Sequence, residues 1–420
     1  MKVFERYFEQ NKPFCRAEFP ADTSAIVIIP VLNDRDIFKT LDSLASCTPV
    51  QGHTGIIIVI NHGENSCPEI KRANTVLAEE VTAYTSVIQQ KSSFLRIETI
   101  RAFDLPAKFA GVGLARKIAM DVAVDFFYRM GEYENPIISL DADTLVEKNY
   151  LDAVVACFRK SRVAGISIPY AHRLDEPGCQ GGMRDAIVKY ELYLRYYQLA
   201  LAYSGHPYAY HCIGSAFAVR AKDYVAQGGM NKRQAGEDFY FLQKLIATGR
   251  YVSPDTTRVY PSARFSVRTP FGTGQSVRQI VENGGIYPVY HFEAFRQLKG
   301  FFSDIICCYK ADGQVIHKYI GRQPVGLKNF LEEIKGVELL QEVNANCASG
   351  KQFLKRFYDH FNAFRVLKYL NYVHEGVFQK TDVIQELRAL CAELGMPYRE
   401  EPVALLEFLR NQPAFHSEIE

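Results

Sequence analysis

The chain has 420 residues, 48% of them hydrophobic and 23% charged, with a net charge of +2. This composition predicts a soluble globular protein built as a large domain plus an extension, or as two to three domains. A near-neutral charge without Lys/Arg runs argues against nucleic-acid binding. No segment reaches the about 18 apolar residues of a membrane span, and residues 1–10 lack a signal peptide's apolar core. Ten cysteines without a Cys-x-x-Cys pair indicate reduced thiols in a cytoplasmic protein.

The first half of the chain alternates between strand and helix patterns. Residues 1–24 are expected to form a helix or arm. Apolar, β-prone runs predict buried strands at 25–32, 55–60 and 137–140, and alternating apolar and polar residues predict a further strand at 94–100. Apolar residues at helical spacing predict helices at 36–46, 68–89 and 113–130. This order favours a doubly wound α/β domain, a fold that binds ligands at the carboxyl ends of its strands.

Polar residues follow three of these strands, and the pair Asp141 and Asp143 is the most distinctive of them. In an extended chain, side chains two positions apart point the same way, so the two carboxylates are expected to converge at the end of the strand. A hard divalent ion, Mg²⁺ or Mn²⁺, suits such oxygen ligands. The alternative is that the motif only caps a helix that begins near Glu147.

The second half first continues the α/β pattern and then changes character. A helix is predicted at 147–160, a strand at 163–169, a tyrosine-bearing helix at 184–203, a strand at 211–220 and a helix from Gly236. The tyrosine stripe is typical of a core, with a substrate platform as the alternative. From about residue 290 the sequence pattern predicts helices, most clearly at 327–342, 353–372 and 382–394. We therefore predict three regions, namely an arm at 1–24, the α/β domain at 25–290 and a helical extension at 291–420.

With these residues in view, about the first 270 residues resemble family 2 glycosyltransferases of the GT-A fold, which has a Rossmann-like, mostly parallel central sheet flanked by helices. The matching pieces occur in the family's order. They are Pro30, Asn33 and Asp34 at the first strand, Asn61 after the second, Gly113 and Arg116 at a glycine-rich helix entry, Asp141 with Asp143, Gly214 with Ser215, and Glu237 with Asp238. The resemblance implies transfer of a sugar from a nucleotide-diphosphate donor to an acceptor, usually with inversion.

The resemblance also implies roles for the carboxylates. Asp143 would bind the metal, and Asp141 would bind the nucleoside or a metal-bound water. Asp238, beside Glu237, would be the catalytic base that takes the proton of the acceptor hydroxyl. The family's aspartate after the second strand is Asn61 here, and this change leaves the identity of the nucleobase open. The alternative for Glu237 and Asp238 is an ordinary acidic first turn of a helix.

Two groups of basic residues are further candidates for donor contacts. Gly113 and Arg116 stand where a helix N-terminus would meet phosphate, although solvated surface charge is an equal alternative for Arg116. Arg264 and Arg268, four residues apart beside a Gly-Thr-Gly segment, suit bidentate phosphate binding, with structural salt bridges as the alternative.

The sequence therefore predicts a metal-dependent GT-A glycosyltransferase, cytoplasmic or at the inner face of the membrane in peripheral contact. Its acceptor, whether a glycan, a lipid-linked compound or a small molecule, stays open. The alternatives are a retaining transferase with the same donor site and a non-catalytic protein that binds sugar nucleotides or acts as a scaffold.

Overall fold

The computed structural model describes residues 1–160, 162–176, 179–232, 236–264 and 272–412. Its strands in chain order are β1 (Thr23–Val31), β2 (His53–Gly63), β3 (Leu95–Leu105), β4 (Pro136–Ser139), β5 (Leu145–Val146), β6 (Gly165–Ser167), β7 (Phe217–Arg220), β8 (Tyr251–Val252), β9 (Val259–Tyr260), β10 (Pro288–Val289) and β11 (Thr381–Asp382). Its α-helices are α1 (Lys2–Gln10), α2 (Ile37–Ala45), α3 (Pro68–Lys91), α4 (Val112–Met130), α5 (Tyr150–Arg159), α6 (Gly182–Tyr203), α7 (Ala221–Ala226), α8 (Glu237–Ile246), α9 (Thr273–Glu282), α10 (Phe292–Ser303), α11 (Gly313–Gly321), α12 (Val325–Glu333), α13 (Gly336–Ala345), α14 (Gly350–His360), α15 (Ala363–Gly376), α16 (Val383–Leu394) and α17 (Pro402–Arg410), and Ile305–Cys308 forms a 3₁₀ turn.

The described residues form two compact units. Unit 1 comprises Met1–Cys179 and Cys212–Ser276, and unit 2 comprises Gln180–His211 and Val277–Glu420. The predicted region boundaries at residues 24 and 290 stay predictions. Among the described residues, no helix combines the length and the apolar character needed to cross a bilayer.

Unit 1 is built on a seven-stranded sheet in the order β3-β2-β1-β4-β7-β6-β8. Strands β3, β2, β1 and β4 are parallel, β7 is antiparallel to both β4 and β6, and β8 is parallel to β6. This mostly parallel sheet with flanking helices confirms the predicted GT-A type of α/β fold. A small second sheet pairs β5 with β9.

The β-branched composition of β1 explains its central position in the sheet. Residues 25–29 are fully buried although consecutive side chains point to opposite faces of a strand, so both faces of the sheet are covered. Helix α4 packs on β1 and β2, and α3 packs on β2 and β3. At the N-terminus, the Tyr7 and Tyr224 hydroxyls donate to the same buried Asp121 carboxylate at 2.7 and 2.8 Å, which ties α1 and α7 to α4.

Several predicted elements are shorter or divided in the structure. The strand predicted at 211–220 is shorter in the structure. It begins at Phe217, which pairs with Ser139. The helix predicted from Glu147 begins at Tyr150, because Asn149 is its N-cap and the chain leaves β5 only at Val146. The two long helices predicted at 327–342 and 353–372 are each two helices. The first breaks at Lys335, whose φ is +54°, and the second breaks at Asn362, which caps α15.

In the described part of unit 2 the regular elements are helices apart from the β10–β11 pair, in which Val289 lies opposite Thr381. Its core is rich in aromatic side chains. Phe302, for example, meets Phe357 and Phe361 at ring-centroid distances of 6.1 and 5.4 Å. The predicted helical character of the C-terminal part is confirmed in the described residues.

Candidate active site

The polar residues predicted for the site meet at one edge of the sheet in unit 1. Parallel pairing sets Ile28 beside Ser139 and Val31 beside Ile60, so the chain leaves β1, β2 and β4 at the same edge. Because β7 is antiparallel to β4, the residues that precede β7 reach this edge too. The structure therefore assembles the residues at the carboxyl ends of the strands, which are Pro30, Asn33, Asp34, Asn61, Asp141 and Asp143, with Gly214 and Ser215.

The Asp141 and Asp143 motif lies in a turn and not in extended chain. The Thr144 N–H donates to the Asp141 carbonyl at 3.2 Å, one residue after Asp143. Our premise that the carboxylates converge through the alternation of a strand is therefore wrong, and each of them pairs with a different arginine. The capping alternative is also wrong, because the N-cap of α5 is Asn149.

Arg116 is the centre of the first cluster and is buried, with 3% of its side chain exposed. Its Nη2 donates to Asp141 Oδ1 at 2.7 Å, its Nε donates to Ser139 Oγ at 3.0 Å, and its Nη1 pairs with Glu237. One side chain of α4 thus joins the residues after β4 to the first turn of α8. Its N–H groups donate to protein side chains. The alternative of a solvated surface charge is therefore wrong for Arg116.

Gly214 gives Arg116 the room it needs. The Gly214 carbonyl accepts a 2.6 Å hydrogen bond from Ser139 Oγ, and a Cβ on Gly214 would lie 2.7 Å from Arg116 Nη2 and 3.0 Å from Cζ. Real Cβ atoms do not approach so closely, and the guanidinium is fixed by ion pairs. Only glycine fits against it.

This contact gives a testable prediction for Gly214→Ala. The methyl group displaces the guanidinium from Asp141 and Glu237, so the free energy of unfolding should fall by about 1–3 kcal/mol, and donor turnover should fall as well. Urea unfolding and an assay of nucleotide release measure the two effects. Gly300→Ala in α10 is the control, because no atom lies within 4 Å of its Cβ position. A Gly214→Ala protein with unchanged stability and turnover would contradict this role.

Glu237 and Asp238 lie in the first turn of α8 but differ in their surroundings. The Glu237 side chain is 2% exposed and paired with Arg116. Asp238 is half-buried, and its Oδ1 accepts a hydrogen bond from the Phe239 N–H at 2.8 Å. Burial raises the pKa of the Asp238 carboxyl, nearby Arg116 opposes the rise, and Asp141 adds to it. Burial also raises the pKa of Glu237 against the effect of Arg116.

Arg264 is the centre of a second cluster. Its guanidinium pairs with Asp34, with Asp36 at 2.7 Å and with Asp143 at 3.1 Å. The structural salt bridges considered from the sequence are therefore present. Arg268 lies outside the described residues.

A pair of residues that sequence reasoning missed supports this second cluster. Glu176 Oε2 accepts from Ser262 Oγ at 2.8 Å and from the Ala263 N–H at 3.1 Å, next to Arg264. Arg173 pairs with Glu176 at 2.8 Å and donates to the Asp143 carbonyl at 3.1 Å. The loop after β6 thus fixes Arg264 and Asp143 together.

Asn74 was missed too, although the sequence carried a signal for it. Its Oδ1 accepts from the Asn33 N–H at 2.8 Å and its Nδ2 donates to the Asn61 carbonyl at 2.9 Å, which joins the ends of β1 and β2. Asn33 has a φ of +44°, a conformation that asparagine tolerates well. Asn74 stands three residues before Leu77 on the buried stripe of α3, and a polar residue on such a stripe marks a specific partner.

Part of the chain matches a known protein family. Residues 136–281 match the family model described as "Glycosyl transferase family group 2". The matched range holds Asp141, Asp143, Gly214 and Asp238, and it confirms the predicted resemblance and the predicted enzyme class. No curated protein matches the chain.

The chain is also similar to solved structures at low identity. One is S. aureus TarS 1-349 in complex with UDP-GlcNAc, at 13% identity and a TM-score of 0.41, covering 82% of this chain and 93% of that one. Another is GalNAc-T7 with UDP, GalNAc and Mn²⁺, at 14% identity and a TM-score of 0.38, covering 83% of this chain and 59% of that one.

Proposed function

We propose that this chain, a GT-A glycosyltransferase with a family 2 domain at residues 136–281, transfers a sugar from a nucleotide-diphosphate donor to an acceptor hydroxyl with inversion. One observation carries the proposal. Asp141 follows β4 at the sheet edge, and the buried Arg116 pairs both with Asp141 and with Glu237, which precedes Asp238 in the first turn of α8. We infer that this link holds Asp141, on the proposed donor side, and Asp238, the proposed base, in fixed positions.

The residues at this edge fit a divalent cation. Asp143 has 26% of its side chain exposed and Asp141 38%, so each carboxylate reaches solvent as well as its arginine partner. In the described part of the chain, no group of three His, Cys, Asp or Glu side chains could hold an ion alone. An ion at Asp143 would need phosphate and water oxygens as well, which is the usual arrangement for Mg²⁺. When bound, Mg²⁺ or Mn²⁺ supplies charge stabilisation to the departing diphosphate.

The donor is proposed to lie across the ends of β1 and β2. The amide of Asn61 can both donate and accept, so it suits a nucleobase edge. Asn33 and Asp34 are proposed to bind the nucleoside, and Arg264 is proposed to direct positive charge at the diphosphate. The other proposed donor contacts are Pro30, Gly113, Gly214, Ser215 and Arg268. Arg116 is proposed to position Asp141 and Glu237, because its side chain is only 3% exposed, against 32% for Arg264.

Asp238 is proposed as the base and Glu237 as its support. An inverting transfer needs a carboxylate that takes the acceptor proton while the hydroxyl oxygen attacks the anomeric carbon. A pKa raised by burial makes Asp238 a better proton acceptor than an ordinary aspartate. Glu237 forms an ion pair with Arg116 and so fixes the start of α8.

The experiment is a thermal-shift and turnover screen with UDP-, GDP- and dTDP-sugars, each with Mn²⁺ and with a chelator. One donor should raise Tm, because a ligand that binds only the folded state stabilises it, and it should release its nucleotide only with the ion. NMR of the product then reads the anomeric configuration, and retention would overturn the proposed inversion. A donor that binds but is neither hydrolysed nor transferred would favour the non-catalytic alternative.

A further inference from the structure

A cavity of about 390 Å³ lies within unit 2, and its lining residues include none of the acidic residues described above. Its volume falls at the small end of the range for small-molecule sites, roughly 300–1,000 Å³. The side chains that give it its chemistry are Tyr193, Gln279, Asn283, Tyr287, Tyr290 and Lys380.

Three tyrosines, Tyr193, Tyr287 and Tyr290, line the cavity and are held by contacts with their neighbours. The rings of Tyr193 and Tyr287 meet edge to face, with centroids 5.2 Å apart and planes at 87°. Tyr197 contacts Tyr290 in turn at 6.4 Å. The Tyr290 hydroxyl donates to Asn371 Oδ1 at 2.7 Å, which fixes its orientation. Tyrosine buries a large apolar face at little conformational cost, so these side chains present a preformed aromatic surface.

Polar side chains line the same cavity. Gln279 and Asn283 are four residues apart at the end of α9, and both are exposed. In the described chain, their side-chain amides have no hydrogen-bond partner. Each amide both donates and accepts, which matches the dual character of a sugar hydroxyl. Lys380, whose Nζ lies 4.8 Å from the Tyr290 ring centroid, adds one positive charge at the edge.

We propose that this cavity binds a carbohydrate residue and that the acceptor of the enzyme is therefore a carbohydrate. The claim about the acceptor rests on the proposed function. A sugar ring has an apolar face of C–H groups and a rim of hydroxyls, and the cavity offers an aromatic face and amide groups to match them. The tyrosine stripe of α6 is thus both core and ligand surface, since Tyr196 is buried while Tyr193 is half-buried at the cavity.

The absence of tryptophan from the chain makes a direct test available. Tyr287→Trp introduces a single indole at the cavity, and its emission reports occupancy. We would titrate glucose, galactose, mannose, N-acetylglucosamine, glucuronic acid and the disaccharides cellobiose and maltose. At least one sugar should change the emission saturably, with a Kd on the order of 1 mM. Tyr372→Trp, on α15 in the same unit but outside the cavity lining, is the matched control and should not respond.

Further variants separate a specific site from a general effect. Adding Gln279→Ala and Asn283→Ala to the Tyr287→Trp protein should weaken sugar binding by about tenfold. Both residues are exposed, so the fold should survive. No saturable response to any of these sugars, or an equal response in the Tyr372→Trp control, would overturn the proposal. A response to UMP alone would also overturn it, because it would identify a nucleobase site.

The outcome is distinguishable from failure of the proposed function. In the otherwise unaltered chain, Gln279→Ala with Asn283→Ala should raise the KM for a carbohydrate acceptor and leave the KM for the donor unchanged. Saturable sugar binding in a protein that turns over no donor would uphold the cavity and refute the transferase mechanism. Donor turnover without any sugar response would refute the cavity alone.

Discussion

Asp143→Ala is expected to lower kcat/KM for sugar transfer by on the order of a thousandfold, which corresponds to about 4 kcal/mol of transition-state stabilisation. The proposed reason is the loss of the protein ligand that places a divalent ion at the diphosphate. Arg264 keeps its pairs with Asp34 and Asp36 in this variant, so the local fold should hold. Steady-state assays with increasing Mn²⁺ measure the effect.

The matched control for this variant is Asp36→Ala. Asp36 is a partner of the same Arg264, at 2.7 Å, but it is not a proposed metal ligand. Its removal should therefore change turnover far less and leave the Mn²⁺ dependence as in the unaltered chain. The metal assignment fails if Asp143→Ala transfers sugar normally, if a chelator leaves transfer undiminished, or if both variants lose activity equally.

The features that the sequence predicted well are those set by local pattern. The apolar, mostly β-branched run at 25–31 is typical of a strand covered on both faces, and the apolar residues before Asp141 predicted a strand that ends at the edge of a sheet. Parallel pairing then brings strand ends together, so the clustering of Asn33, Asn61 and Asp143 followed from the topology. A periodic pattern of apolar residues predicts secondary structure because the buried positions of a helix or strand repeat with the period of that element.

The contacts that the sequence did not predict are set by pairs far apart in the chain. Arg264 meets Asp36 across 228 positions, and no spacing rule relates the two. Glu176, in the loop between β6 and α6, accepts from the Ala263 N–H and so holds the backbone next to Arg264. Ion pairs of this kind depend on where loops from different strands meet, which is a property of the whole fold.

A second large effect is expected for Asp238→Asn. Loss of a general base typically costs on the order of 10²–10⁴ in kcat, and asparagine has no lone pair basic enough to take the acceptor proton. Asparagine Oδ1 can still accept from the Phe239 N–H, which now bonds Asp238 Oδ1 at 2.8 Å. Tm and donor affinity should therefore stay close to those of the unaltered chain, so that the loss appears in kcat alone.

The pH profile tests the same assignment independently. A base acts only when deprotonated, so kcat/KM should rise with pH through the pKa of Asp238. Burial raises that pKa, so the inflection should lie above the ordinary aspartate value of about 3.9. Asp238→Asn should remove the inflection, and a profile that keeps it would assign the base to another group.

Glu237→Gln separates the base from its support. This change leaves Arg116, 3% exposed, without one of its two carboxylate partners. Breaking a buried ion pair in this way costs about 3–5 kcal/mol of stability, so Glu237→Gln should lower Tm markedly, whereas Asp238→Asn should not. Glu237→Gln is thus expected to lower stability, whereas Asp238→Asn is expected to lower kcat. If Glu237→Gln folds normally and loses only kcat, the roles of the two carboxylates are reversed.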